Sequence, residues 1–302
     1  MQIALKVDVD TFRGTREGVP ALVSALNARE VKGSFYFSLG PDHTGWALRR
    51  VFRPGFLKKV QRTSVVSHYG LTTLLYGTLL PGPHIARRLG DVLRATRDQG
   101  HETGIHCYDH VYWQDNVARR DARWTAREFL RACDAYRATF GTPARAHCAA
   151  GWQLNAELFA LEDAAGFDYA SDTRGTHPFR PVMQGIEAGC PQLPTTLPTL
   201  DELVGVDGLD IDGAIDRILD LTATPNAAGL HVYTLHAELE GQRFLDPFLR
   251  LVDTWRARGL RVGTMAEAAA ALDPRSLPRH EVLLGEIAGR SGTLGLQGNA
   301  IS

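Results

Sequence analysis

Short apolar runs alternate with amphipathic helical patterns along most of the chain, and this alternation limits the folds that are available to it. The run QIALKVDVD precedes the helical pattern GVPALVSALNARE, which leads into a second strand-like run, VKGSFYFSLG. The same order returns near the C-terminus, where GLHVYTLHAE is followed by FLDPFLRLVDTWRARG. Strands separated by amphipathic helices predict an α/β fold with a mostly parallel sheet. With about seven or eight strands, the expected architecture is a barrel closed by helices.

The composition of the chain indicates the cellular compartment in which it works and the kinds of partner it can have. The 302 residues are 44% hydrophobic, which is enough for the core of one large domain. A formal net charge of −1 gives no reason to expect a nucleic-acid partner. The N-terminus has no apolar stretch before a small-residue cleavage site, so we expect no signal peptide. The four cysteines are scattered, which is typical of reduced thiols in the cytoplasm.

One segment, at about residues 41–90, interrupts the alternation and carries an unusual charge. It holds eight lysines or arginines against one acid, a local net charge of +7. Its middle, VVSHYGLTTLLYGTLLP, is apolar and aromatic but shorter than the ~20 residues of a membrane-spanning helix. One interpretation is a surface excursion that folds back on the domain. The other is a membrane-interface patch, in which basic residues meet lipid phosphates and five aromatic side chains enter the bilayer: Trp46, Phe52, Phe56, Tyr69 and Tyr76.

A polar run in the middle of the chain, GHETGIHCYDH at residues 100–110, concentrates three histidines. His106 and His110 are four residues apart, so on a helical turn both imidazoles would face one side and bind one ion. His101 points elsewhere in that geometry. The alternative is a polar loop in which each histidine makes an ordinary hydrogen bond.

Two aspartates end the first apolar strand. Asp8 and Asp10 lie at the carboxyl edge, where α/β folds place their chemistry, and alternate residues of a strand point the same way. Neighbouring carboxylates repel unless a cation or a shared proton relieves them. One carboxylate and two histidines would make a three-ligand metal site, which leaves the other carboxylate free to accept a proton. The alternative is a pair of exposed acids that cap the next element.

A late strand brings one more candidate to the same edge. His236 follows the apolar residues VYTL at the carboxyl end of that strand. A histidine there can protonate a leaving group, because its ordinary pKa lies near ~6.5. His231 begins the strand and is expected to pack or hydrogen-bond locally.

Taken in order, these motifs resemble the polysaccharide deacetylase (NodB-homology) family. The resemblance rests on the strand-terminal DVD, then GHETGIHCYDH, then a late strand that ends in LH, and it runs from residue 3 to about 272 apart from the insert. It implies a distorted (β/α) barrel and a metal-dependent amide hydrolase. It also implies residue roles: metal ligands Asp10, His106 and His110, general base Asp8, and general acid His236.

Further segments, among them AAGWQLN, LPTTLPTLDELVG and EIAGRSGTLGLQG, are similar to one branch of that family. The branch implies a substrate, the 4-deoxy-4-formamido-L-arabinose carried on undecaprenyl phosphate. It implies hydrolysis of the N-formyl group, which releases formate and leaves the 4-amino sugar lipid for lipid A modification and resistance to polymyxin and other cationic peptides. The insert would then meet the polyprenyl phosphate at the cytoplasmic face of the inner membrane, with the protein bound peripherally.

The chain departs from the wider family after the metal histidines. An Arg-x-Pro-aromatic motif is usual there, but this chain has RAHCAAGW, in which Arg145 is a relic at most. The backbone around Gly151 and Trp152 is a candidate oxyanion donor. Asp172, in ASDTRG, stands where the family often has an acid that positions the histidine. Arg174 is a candidate for the substrate phosphate, with an ordinary surface arginine as the alternative.

The expected organisation is a catalytic domain at residues 1–275 that carries the insert at about 41–90, followed by a C-terminal tail at 276–302. The tail, RSLPRHEVLLGEIAGRSGTLGLQGNAIS, looks irregular and is expected to lie draped over the domain.

The ligand set leaves the metal and some rival functions open. Two histidines and one carboxylate suit Zn²⁺, Mn²⁺, Co²⁺, Ni²⁺ or Fe²⁺. Non-haem iron oxygenases use the same set but usually place the first histidine and the acid two apart on an all-β fold, which disfavours them. A deacetylase of another N-acylated sugar and a non-catalytic sugar-lipid binding protein remain alternatives. Asp8 and His236 argue against the binding protein, which would be free to lose them.

Overall fold

The computed structural model of the chain describes residues 1–47, 71–226, 228–288, 290 and 292–301. Its strands are β1 (Gln2–Val9), β2 (Ser34–Ser38), β3 (Glu102–Cys107), β4 (Ala146–His147), β5 (Tyr169–Ala170), β6 (Arg180–Met183), β7 (Ile186–Glu187), β8 (Leu230–His236), β9 (Arg261–Gly263), β10 (Arg279–Gly285) and β11 (Leu294–Ile301). Its α-helices are α1 (Val19–Asn27), α2 (Leu71–Leu75), α3 (Ile85–Asp98), α4 (His110–Asn116), α5 (Ala122–Phe140), α6 (Ala156–Ala165), α7 (Leu200–Leu203), α8 (Ile211–Leu221), α9 (Leu245–Ala257) and α10 (Met265–Ala270).

Seven strands form one parallel sheet in the order β5–β4–β3–β2–β1–β8, and β9 also pairs with the first residues of β1. The sheet is a half-barrel with helices around it, which confirms the predicted distorted (β/α) barrel. Because all its strands run the same way, their carboxyl ends meet at one edge.

Strand β1 lies inside the sheet and pairs with β2, β8 and β9. Its odd-numbered residues from Ile3 to Val9 share one face and are apolar and fully buried, and Ala4 and Lys6 on the opposite face are buried too, as expected for a parallel sheet that is covered on both sides. The burial of Lys6 in the same strand is unusual, since lysine is rarely buried unless it is paired.

The C-terminal residues are not irregular, so that part of the prediction is wrong. β10 and β11 form an antiparallel hairpin, and β10 also pairs in parallel with β6, which pairs with β7. The sequence of β10 shows only a weak alternation of apolar and polar residues, because Leu283 and Leu284 are both exposed and the pairing register shifts between His280 and Val282. The hairpin therefore completes a second, four-stranded sheet.

The predicted insert is described in part. Phe52, Phe56 and Tyr69, together with the basic residues between 49 and 62, lie outside the described residues. Trp46 stacks on His43 with ring centroids 4.0 Å apart, so it packs against the domain. The last residues of the segment begin helix α3 and belong to the core. Within the part of the chain that is described, no helix combines the length and apolarity that a membrane span requires.

Candidate metal centre and flanking acid–base residues

Five predicted residues meet at the carboxyl edge of the parallel sheet. Asp8 lies near the end of β1 and Asp10 follows it, while His106 is in β3 and His110 begins α4. His236 ends β8, where the strand register sets it opposite Asp8. The edge therefore brings together residues that are up to 228 positions apart in sequence, counted from Asp8 to His236.

Asp10 lies between the two histidines. Its Oδ1 is 3.2 Å from Nε2 of His106, and its Oδ2 is 3.3 Å from Nε2 of His110. Burial works to raise the pKa of Asp10, but His110 and His106 outweigh burial and hold that pKa below its usual range. The carboxylate is therefore ionised and faces two imidazole nitrogens.

The group fits a divalent cation. Nδ1 of His106 is 2.8 Å from the carbonyl of Cys148, and donation to that oxygen leaves Nε2 with a lone pair directed at Asp10. Nε2 of His106 and Oδ1 of Asp10 are buried without a hydrogen-bond partner. Buried polar atoms rarely lack partners, and a bound cation would satisfy both of these. A carboxylate with two neutral imidazoles is a common ligand set for divalent transition metals.

The histidine pair is built differently from the expected helical turn. His106 is a strand residue, and His110 is the first residue of the next helix. Asp109 caps that helix, because its Oδ1 accepts a hydrogen bond from the Tyr112 amide at 3.0 Å. The sharp strand-to-helix passage thus turns the two imidazoles together, with ring centroids 5.3 Å apart.

Asp8 has different partners from Asp10. Its Oδ2 is 3.7 Å from Nζ of Lys6, and its Oδ1 accepts a weak hydrogen bond from Sγ of Cys148 at 3.4 Å. Lys6 itself donates to the carbonyl of Ser171 at 3.0 Å. The Asp8 carboxylate thus lies beside a buried lysine and a thiol, and a carboxylate in such a place can accept a proton. Lys6 is a site residue that pattern analysis missed, although its place in an apolar strand was a signal.

His236 sits among carboxylates. Asp201 is 3.9 Å from its Nδ1, and Glu240 accepts a hydrogen bond from its backbone amide at 2.8 Å. Burial works to lower the pKa of His236, but the carboxylates, with Asp201 first, raise it above its ordinary value. The imidazole therefore keeps its proton to a higher pH than a free histidine does.

Two glutamates that follow β8, Glu238 and Glu240, also influence the site. Glu238 accepts hydrogen bonds from the amides of Asp10 and Thr11 at 3.0 and 2.8 Å, which fixes the backbone after β1. Burial raises the pKa of Glu238 to about 8 and that of Glu240 to about 7. Pattern analysis did not single out these acids in HAELEG.

The candidate oxyanion segment is one tight turn, Ala150–Trp152. Gly151 has a φ of +63°, and an added Cβ would lie 2.2 Å from the side-chain amide of Gln114, so glycine is favoured there. The amide of Trp152 donates to the carbonyl of Ala149 at 3.0 Å, which occupies it. Of the two predicted oxyanion donors, the amide of Gly151 is therefore the one that stays a candidate.

Asp172 does not contact His236, contrary to the expectation drawn for it. It is fully buried and accepts hydrogen bonds from His147 Nδ1 at 3.0 Å, the Ala149 amide at 2.6 Å and Gln192 Nε2 at 2.7 Å. Glu162 joins the cluster, which satisfies the distance requirement for holding an ion. These internal hydrogen bonds already satisfy much of the cluster, so the Asp10 group suits a cation better.

We expect Asp172→Asn to lower the free energy of unfolding by about 3 kcal/mol, because an amide would turn a donor toward donors and leave His147 without its anion. Urea denaturation measures this. Asp168→Asn is the matched control, since Asp168 pairs with Arg145 at the surface and exposed pairs contribute little. An equal loss in both variants would mean that the buried cluster is not a stabilising feature.

Arg174 is likewise committed within the protein. Its guanidinium donates to Glu202 Oε1 at 2.5 Å and to the carbonyl of Leu197 at 3.0 Å, and it lies 5.0 Å from the ring of Trp152. Its side chain is 12% exposed. Arg174 therefore supports Trp152 from within the fold and is poorly placed to meet a phosphate.

Comparison with known proteins gives relatives along the whole chain, although no protein-family model matches it. The chain is 36% identical over 303 residues to a "Probable 4-deoxy-4-formamido-L-arabinose-phosphoundecaprenol deformylase ArnD" of Shewanella sediminis (strain HAW-EB3), which covers 100% of this chain and 96% of the relative. A protein of the same name from Wigglesworthia glossinidia brevipalpis is 28% identical over 286 residues, with coverage of 94% and 98%.

A solved structure supports the fold. The "putative polysaccharide deacetylase from Mycobacterium smegmatis" superposes with a TM-score of 0.63 at 17% identity, and the match covers 95% of this chain and 94% of that chain. Both curated relatives carry the name of an amide hydrolase, and the first is similar over its full length. The resemblance found in the sequence is thereby confirmed, and the chain is an amide hydrolase that belongs to the family of 4-deoxy-4-formamido-L-arabinose-phosphoundecaprenol deformylases.

Proposed function

We propose that the chain hydrolyses the N-formyl group of undecaprenyl-phosphate 4-deoxy-4-formamido-L-arabinose. The products are formate and the 4-amino sugar lipid, which acquires a positive charge and serves lipid A modification. The observation that carries the proposal is the Asp10–His106–His110 group, flanked on adjacent strands by Asp8 and His236. The names of the full-length relatives support the substrate.

The proposed metal ligands are Asp10, His106 and His110. A divalent ion held by them would supply Lewis acidity, which makes a water more acidic and polarises the formyl carbonyl. The ligand set is compatible with Zn²⁺, Mn²⁺, Co²⁺, Ni²⁺ or Fe²⁺.

The chain's own residues supply the proton transfers. Asp8 accepts the proton of the attacking water as the new carbon–oxygen bond forms. The amide of Gly151 is our candidate donor to the oxyanion that develops on the carbonyl. His236 gives its proton to the sugar nitrogen as the carbon–nitrogen bond breaks, so that formate and the amine separate.

We further propose that residues 1–275 are the catalytic domain and that residues 276–302 are added to it as a hairpin. The segment at about 41–90 meets the anionic, lipid-linked substrate at the membrane surface on the cytoplasmic side. Its charge of +7 supports this proposal, since basic segments are attracted to anionic lipids.

The rate is expected to fall as the pH rises through the pKa of His236, because the acid must be protonated. The alkaline limb should lie above the ordinary histidine range, since neighbouring carboxylates, Asp201 first, raise that pKa. At low pH the rate falls as well, since a protonated Asp8 accepts no proton. Asp201→Asn should move the alkaline limb to lower pH when kcat/KM is measured over roughly pH 5 to 9. An unmoved limb would show that His236 is not the group that titrates.

The function is tested with purified protein, added metal and two substrates, the polyprenyl-phosphate 4-formamido-arabinose and its N-acetyl analogue. Formate from the first substrate, lost on chelation, is the expected result. Acetate from the second alone would instead indicate a deacetylase of another N-acylated sugar. Binding of the lipid without turnover, at every metal tried, would favour a sugar-lipid binding protein.

A further inference from the structure

The C-terminal hairpin reaches the candidate active site. Two contacts join its second strand and the residue before that strand to the site: Gly295 accepts a hydrogen bond from the Arg174 amide at 2.9 Å, and the carbonyl of Thr293 accepts one from the side chain of Gln153. Thr293, the last residue of the connection between β10 and β11, therefore lies beside the Ala150–Trp152 turn. This part of the C-terminal segment is thus a neighbour of the catalytic edge.

Arg290, in that connection, is almost buried, with 11% of its side chain exposed. Its Nε donates to Glu202 Oε1 at 2.6 Å, its Nη2 is 3.7 Å from Asp201 Oδ1, and its guanidinium lies 4.2 Å from the ring centroid of Trp152. Nη2 is buried without a hydrogen-bond partner. Burial works to lower the pKa of Arg290, but Asp201, Glu202 and Asp8 outweigh it, so the cation persists.

Asp201 connects this cation to the proposed general acid. Thr199 caps the short helix α7 in a reciprocal capping box with Glu202, which holds the acids of its first turn in place. The hydroxyl of Thr199 also donates to Asp201 Oδ1 at 2.5 Å. The same oxygen of Asp201 is 3.9 Å from Nδ1 of His236, which is longer than a hydrogen bond. Such contacts often tighten only when substrate is bound.

We propose that Arg290 is a positioning residue of the reaction, acting through Asp201 to hold the imidazole of His236 and through Trp152 to shape the wall of the site. Glu202 also accepts from Arg174, but the guanidinium of Arg290 approaches Asp201 as well, so its fork can meet both acids of α7 beside His236. Arg145 does not play this positioning role, because it pairs with Asp168 at the surface. The inference rests on the proposed amide hydrolysis.

The test compares Arg290→Gln and Arg290→Lys with the control Arg279→Gln. Arg279 lies in the same hairpin but pairs with Glu187, away from the site, at 3.3 Å. We expect Arg290→Gln to lower kcat about a hundred-fold, because a small misplacement of a catalytic group has effects of that order. KM and metal content should stay near the wild-type values, and Arg290→Lys should recover only part of the rate. The control should keep its full rate.

Chemical rescue separates positioning from folding. Guanidinium ion at millimolar concentration should restore part of kcat to an Arg290→Ala variant and should leave Arg279→Gln unchanged. Unchanged kcat in Arg290→Gln, or a loss shared equally by Arg279→Gln, would overturn the inference. So would a loss in Arg290→Ala that guanidinium does not relieve while its thermal midpoint matches that of the wild type.

The rates are compared on whichever amide the wild type cleaves, formyl or acetyl, so an error in the substrate does not affect the test. If the wild type cleaves neither, the proposed function fails and the imidazole NMR signals decide the inference. Arg290→Gln should then shift the signals of His236 and leave those of His177, in the loop before β6, in place. An unshifted His236 would refute the positioning role.

Discussion

Asp8→Asn is expected to lower kcat about a thousand-fold while the protein still binds its metal. A positioned general base contributes roughly two to four orders of magnitude, and an amide of the same shape cannot accept the proton of water. The Asp8 carboxylate lies 3.7 Å from Lys6, and its predicted role does not include metal ligation. Formate release under saturating substrate gives kcat, and metal analysis after dialysis gives the ion content.

The outcome of this substitution also distinguishes the two aspartates. Loss of the ion in Asp8→Asn, with retention in Asp10→Asn, would mean that their roles are the reverse of those proposed. Unchanged kcat in Asp8→Asn would remove Asp8 from the mechanism. Asp10→Asn is the natural partner experiment, because it makes the same chemical change two residues along the chain.

Asp10→Asn is expected to abolish both metal binding and turnover. Asp10 contacts both histidines, so its loss removes the charged member of the ligand set and leaves two neutral imidazoles. Metal that binds the folded state stabilises it by about 4 kcal/mol at a thousand-fold excess over Kd. The wild type should therefore melt at a higher temperature when metal is added, and Asp10→Asn should not.

A second histidine pair supplies the control for that experiment. His177, in the loop before β6, and His280, in β10, have their Nε2 atoms 3.1 Å apart, which makes them a competing place for added metal. His177→Gln should leave the thermal shift and the activity at wild-type values. If His177→Gln removed the shift and Asp10→Asn kept it, the metal would lie at the His177–His280 pair and the proposed centre would be wrong.

The principal features of the candidate site could be anticipated from local pattern. Asp8, Asp10 and His236 each stand at the end of an apolar strand, and parallel strands in an α/β fold end at one edge. His106 and His110 belong to the same edge because β3 is a member of the same sheet. The structure differs from the prediction in how His106 and His110 come together. They lie on either side of the passage from β3 to α4, and not on one helical turn.

Local sequence patterns did not predict the contacts of Asp172, Arg174 and Arg290, because their partners are far away in the chain. Asp172 meets His147, Arg174 meets Glu202, and Arg290 meets Asp201 through packing that no short-range periodicity records. The resemblance placed Asp172 beside the catalytic histidine, whereas the structure puts Asp201 there instead.

The sequence by itself determined the parallel α/β fold and the edge at which its chemistry gathers, because strand and helix periods are local and parallel strands share a direction. Tertiary structure alone decided how the C-terminal residues are used. Their weak alternation hides two strands, since β10 has exposed leucines and a register shift. Antiparallel pairing and contact with the Ala150–Trp152 turn give them their form and bring Arg290 to the site, and both depend on residues far away in the chain.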